Sequence, residues 1–132
     1  MTEVQLEIVD TYQRMGQPLR ALSTVEQVLS RHPIGGQPEH AILAKSDALV
    51  ALNQLSSAIA LLQTTSEREN ASGAVFARLA QIQMMSGNMP QARLAIDRGK
   101  QLFPNQPIFD QLGTRIASEQ QRIATLDKGN LR

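Results

Sequence analysis

The sequence has no cysteine and no tryptophan, and aromatic residues make up only 3% of it. Without cysteine there is no disulfide scaffold, no thiolate zinc site and no thiol nucleophile. The aromatic set is Tyr12, Phe76, Phe103 and Phe109, too few to build stacking platforms for single-stranded nucleic acid. Charge of one sign is also lacking: 13 Lys and Arg stand against 12 Asp and Glu, a formal net charge of +1. A nucleic-acid binder carries a large basic excess, so no nucleic-acid partner is expected. No apolar run approaches the ~20 residues that span a bilayer, and no direct membrane insertion is expected. Met1-Thr2-Glu3-Val4 has no basic region followed by an apolar core, so no signal peptide is expected. The compartment stays open.

What is present is enough apolar material for a core. Hydrophobic residues make up 42% and charged residues 19% of 132 residues, which suits one domain or a piece of a longer repeat protein. The chain repeats a layout of an apolar-periodic stretch, a polar turn, an alanine-anchored stretch and a break. Ala21, Ala58 and Ala92 align the three copies at spacings of 37 and 34 residues. The extra three residues fall in Pro33-Ile34-Gly35-Gly36-Gln37-Pro38, a surface loop whose lengthening costs only a few tenths of a kcal/mol, roughly (3/2)RT ln n.

Each half-repeat reads as a helix. Leu6, Ile8, Val9, Tyr12 and Met15 recur at helical steps, and Gly16-Gln17-Pro18 marks a left-handed cap followed by a new helix start. Leu22, Val25, Val28 and Leu29 continue to His32-Pro33. The second copy uses Ile42, Leu49 and Leu52, a turn at Asn53-Gln54, then Ile59, Leu61 and Leu62. The third uses Phe76, Leu79 and Ile82, a turn at Gly87-Asn88, then Leu94, Ile96, Leu102 and Phe103. No segment alternates with a two-residue period, so the chain is all-α. The alanines sit where a returning helix must approach its partner closely, and a larger side chain there would cost about 1–3 kcal/mol.

A last helix is expected from Pro107 to about Asp127, with Phe109, Leu112, Ile116, Ile123 and Leu126 on one stripe and Glu119 interrupting it. It would cap an apolar face left open by the last repeat. Its far half, Ile123 to Leu126, offers an alternative role as a homodimer or domain contact. Residues 128–132 read as a tail.

This layout resembles the tetratricopeptide repeat, a 34-residue helix-turn-helix unit. Tyr12, Gly16, Ala21 and Pro33 carry the resemblance in the first copy, and Leu79, Gly87, Ala92 and Pro104 in the third. The second is carried by Ala58 with Ile42, Leu49 and Leu62. Departures are Gln5, Ile42 and Phe76 in place of tryptophan, Val9, Ser46 and Ala80 at the small position of each first helix, and Lys45 where leucine is usual. The resemblance covers about residues 3–104. It implies an all-α repeat solenoid of about seven helices in a right-handed superhelix. A single domain over 1–127 would comprise repeats at about 2–35, 39–72 and 73–106 and a capping helix at about 107–127.

Catalytic and ligand-binding motifs are missing. His32 and His40 flank the proline loop without a third metal-ligand candidate in register, and no metal or cofactor is expected. There is no phosphate-binding glycine loop and no GxSxG elbow. Asp10 with Asp47, and Glu67 with Glu69, read as solvated carboxylates rather than acid/base pairs. The chain reads as non-enzymatic.

The resemblance implies that first helices line a concave groove binding a peptide or helical segment of a protein partner. The matching groove positions are Leu6, Asp10 and Gln13, then Leu43, Asp47 and Val50, then Ala77, Gln81 and Met84. Family members that grip a C-terminal carboxylate use Lys, Asn and Arg, where this chain has Leu6, Asp10 and Ala44. Two aspartates repel a carboxylate, so the expected ligand has apolar anchors and Lys or Arg opposite Asp10 and Asp47. The alternatives are a self-association segment of a larger scaffold and the effector-sensing array of a regulator.

Overall fold

A computed structural model describes residues 2–130, with side chains for 2–127. The described residues form seven helices and no strand: α1 (Thr2–Arg14), α2 (Pro18–Ser30), α3 (Glu39–Ala51), α4 (Leu55–Ser66), α5 (Gly73–Met85), α6 (Met89–Leu102) and α7 (Pro107–Asn130). The chain divides into two compact units, Met1–Val75 and Phe76–Arg132.

The turn inside each hairpin is one structure used three times. Gly16, Asn53 and Gly87 have φ of 69°, 60° and 82°, the left-handed conformation that glycine and asparagine adopt most cheaply. The amide of the next residue then reaches back across the helix end: Gln17 N donates to Tyr12 O (2.9 Å), Gln54 N to Leu49 O (2.8 Å) and Asn88 N to Gln83 O (2.9 Å). This closes each first helix as a Schellman cap. Pro18 and Pro90 stand in the first turns of α2 and α6, where the missing amide hydrogen is no loss. Ala21, Ala58 and Ala92 follow five residues after each left-handed position. All three are fully buried, as are their counterparts Val9, Ser46 and Ala80 in the first helices. Small residues at both positions suit closely crossing helices.

In the first unit α1 packs on α2, α2 on α3 and α3 on α4, and α1 also touches α3. Val9, Val25, Val28, Ile42 and Leu62 form its core. The proline loop is tied on both sides. Gln37 Nε2 donates to Leu29 O (3.2 Å), and Arg68 Nη1 donates to Gln37 O (2.9 Å). Glu39 accepts from Ser72 N at 3.1 Å and from the Ser72 hydroxyl.

In the second unit α6 packs on α7. Phe76 meets Phe103 with ring centroids 6.3 Å apart, and the Arg98 guanidinium lies 5.8 Å over the Phe76 ring, a cation–π contact. Phe109, Leu112 and Ile116 of α7 are buried. With Gly113 they repeat the spacing of Phe76, Leu79, Ala80 and Gln83 in α5, so α7 opens like a first helix. It then runs straight on where the others turn. The helix expected to end at about 127 continues to Asn130; of the expected tail, residues 131–132 lie outside the described residues.

Several expected core positions are on the surface. Ile8, Met15, Leu94 and Leu102 are exposed. Ile8 falls on the side of α1 opposite Leu6 and Val9, and Leu94 opposite Ala92, Ile96 and Gly99. Met15 and Leu102 lie at helix ends, beyond cover from the neighbouring helix. His32 is half-buried, and its Nε2 is enclosed without a hydrogen-bond partner.

Candidate functional surface

In the first unit the side-by-side arrangement of α1 and α3 positions the surface. Gln13 Nε2 donates to Ala44 O across the two helices (3.2 Å). His40 Nε2 lies 3.6 Å from an Asp10 carboxylate oxygen. Asp10, Gln13, Leu43, Asp47 and Val50 are half-buried. Leu43 and Val50 keep apolar surface in solvent although their neighbours Ile42 and Leu49 are buried. Leu6 lies in the core at 7% exposure and offers a ligand little surface.

The second unit also has a concavity. A cleft of about 460 Å³ is lined by Gln81, Met84 and Met85 of α5, Met89 of α6, and Thr114, Arg115, Ser118 and Glu119 of α7. Met89 is buried, Met84 is half-buried and Met85 is exposed, giving an apolar floor of flexible, polarizable side chains that adapt to varied partners. On the rim, Arg122 of α7 donates to Glu119. That hydrogen bond holds the Glu119 carboxyl below its ordinary value, against desolvation and with a lesser contribution from the Arg122 charge. Of the positions expected from the repeat pattern, Gln81 and Met84 meet in this cleft, while Ala77 is buried at 8% exposure.

Sequence reasoning did not find the α7 side of the cleft. Thr114, Arg115 and Ser118 come from the helix read as a cap. The signal was the repeat-like spacing of Phe109, Leu112, Gly113 and Ile116, which places Thr114 and Ser118 at the register of Gln81 and Met85 in α5; Arg115 falls at the register of buried Ile82 and gave no such signal.

A tetratricopeptide repeat family model matches residues 49–116, just over half of the chain. The chain belongs to the tetratricopeptide repeat family. No curated protein matches the sequence. Tetratricopeptide repeats are protein–protein interaction modules and are typically non-catalytic. Membership also accounts for the recurring Schellman turns and buried small residues, because each repeat must return its second helix tightly onto its first. No described helix of this repeat protein is long and apolar enough to cross a membrane.

Proposed function

We propose that the chain captures a peptide or helical segment of a protein partner on the open faces of its first helices, as a binding part of a larger assembly. The reading rests above all on the methionine-floored cleft holding Gln81 and Met84. Both were singled out by their repeat positions alone, and an adaptable apolar floor with a polar rim is what a segment with a large apolar anchor requires. In the first unit Leu43 and Val50 would supply further apolar contact. Asp10, with Asp47 on the neighbouring helix, would favour Lys or Arg on the segment and disfavour a terminal carboxylate. Gln13 holds the two helices in register and would contribute position rather than affinity. Leu6 and Ala77 would support these faces from beneath.

The test is affinity capture with the full chain and with Leu43→Glu, Met84→Glu and the control Leu94→Glu, all at positions that keep solvent contact. Capture should survive in the control and fail in the other two, with helical circular dichroism unchanged in all three. A partner retained equally by all variants would place the binding surface elsewhere.

A further inference from the structure

The feature that peptide capture leaves unexplained is the far end of α7. This helix has 24 residues, whereas the other six have 12 to 14. Among its residues with described side chains, the last buried one is Ile116. From Ala117 to Asp127 every side chain is exposed except half-buried Glu119, and Ile123 and Leu126 are 41% and 55% exposed. A helical end with no tertiary cover is marginal in water, and two exposed branched residues on one stripe increase its need for a partner.

The stripe has the register of a coiled coil. Phe109, Leu112, Ile116, Glu119, Ile123 and Leu126 alternate steps of three and four, so they occupy a, d, a, d, a and d of successive heptads. The first three are buried within their own unit, and the seam comes free only after Glu119. There Ile123 falls at a and Leu126 at d, the combination that in parallel coiled coils favours two strands over three or four. Arg122 falls at g and Asp127 at e, on opposite shoulders of the seam. In a parallel pair the g residue of one helix lies beside the following e residue of the other, so Arg122 meets Asp127 of the second copy, twice by two-fold symmetry. An antiparallel pair would set Arg122 against Arg122 instead.

We propose that the end of α7, from Glu119 onward, is a self-association segment that pairs in parallel with the same segment of a second copy. Glu119 marks where the two helices splay apart toward their own units. Its carboxylate is held by Arg122 of the same helix, so a charge at this d position keeps a partner while the seam ends. The segment shares Glu119 with the rim of the methionine-floored cleft, but its apolar residues Ile123 and Leu126 lie outside the cleft lining, so the aspartate variants at 123 and 126 test pairing without touching the cleft.

Sedimentation equilibrium of the full chain, run up to about 1 mM to reach the weak end of the affinity scale, reads the proposal directly. The mass should rise with concentration toward twice the 14.5 kDa of one chain. The exposed-site double variant Ile123→Asp/Leu126→Asp should stay monomeric with the helical units intact by circular dichroism. Arg122→Asp and Asp127→Arg should each weaken pairing by roughly tenfold, as expected for rim charges turned from attraction to repulsion. Mixing these two single variants should restore pairing, since every g–e contact is then again between opposite charges. A chain that stays monomeric throughout overturns the proposal, as does a dimer indifferent to the aspartates at 123 and 126. A mixture that recovers nothing overturns the parallel pairing.

Discussion

The Phe109 ring lies directly on the backbone of Gly99, so close that a Cβ on Gly99 would fall within the ring's van der Waals surface. Gly99 is buried in the middle of the last turns of α6, and Phe109 is 1% exposed. A glycine inside a helix ordinarily costs about 0.5–1 kcal/mol relative to alanine. Here the absent side chain lets α7 seat its largest residue against α6, and the burial of that ring far exceeds the propensity cost.

Gly99→Ala and Gly113→Ala should therefore act in opposite directions. At Gly99 the gain in helix propensity is outweighed by overpacking of about 1–3 kcal/mol, because the buried ring has no free direction in which to move. At Gly113 a new methyl group meets nothing within 4 Å, so the substitution should stabilise by up to about 1 kcal/mol. Urea unfolding curves give both signs. Phe109→Leu should be milder in the Gly99→Ala background than alone, because shrinking the ring relieves the clash.

The three hairpin turns make a graded series. Gly16→Ala and Gly87→Ala meet no steric obstacle, yet both positions have positive φ. Each should lose on the order of 1 kcal/mol from the left-handed backbone alone. Asn53 already carries part of that cost, so Asn53→Gly should be neutral or slightly stabilising by thermal melting. Asn53→Val should be the most damaging change in the series, because a β-branched residue resists this conformation most strongly.

The parts of this molecule that could be read in its sequence are those set by local backbone geometry. Gly16, Asn53 and Gly87 announce turns, and Ala21, Ala58 and Ala92 announce close crossings, whatever surrounds them. The exposure of Ile8 and Leu94 was not readable in that way, because an apolar side chain looks the same on either side of a helix until its neighbours are known. Gly99 was missed for a related reason. A helical glycine reads as weakness unless the ring that fills its space, ten residues away, is known to be there. The same holds for the candidate site: Gln81 and Met84 follow from repeat register, while Thr114 and Ser118 required α7 to be seen as a first helix rather than only as a cap.

Enlarging the crossing points should separate packing from propensity. Ala58→Leu and Ala92→Leu replace fully buried methyl groups and should each cost about 1–3 kcal/mol. Ala60→Leu, at an exposed position of α4, should be nearly neutral. Ser46 is also fully buried and gives its hydroxyl to Leu43 O at 2.7 Å. Ser46→Ala should be tolerated, since one local bond is exchanged for better helix propensity, while Ser46→Leu should destabilise like the alanine variants. Denaturant midpoints across the set provide the measurement.

The ion pair joining α6 to α7 should make stability depend on alkaline pH with a definite sign. Lys100 Nζ lies 2.7 Å from Asp110 Oδ1. Its hydrogen bond to that carboxylate, and secondarily the charge there, raise the lysine pKa above its ordinary value, with Asp97 adding a smaller contribution and slight desolvation opposing. A pKa higher in the folded than in the unfolded chain means that folding takes up protons in the interval between the two. The contribution is thus complete below the unfolded lysine pKa and is lost as pH rises through the folded one. Both groups are largely in water, so the effect is small and is best isolated by a double-mutant cycle of Lys100→Gln and Asp110→Asn followed by thermal melting across the alkaline range. The coupling should be present at neutral pH and vanish above the folded lysine pKa. A coupling that stays constant through that range would mean that Lys100 and Asp110 act through packing rather than charge.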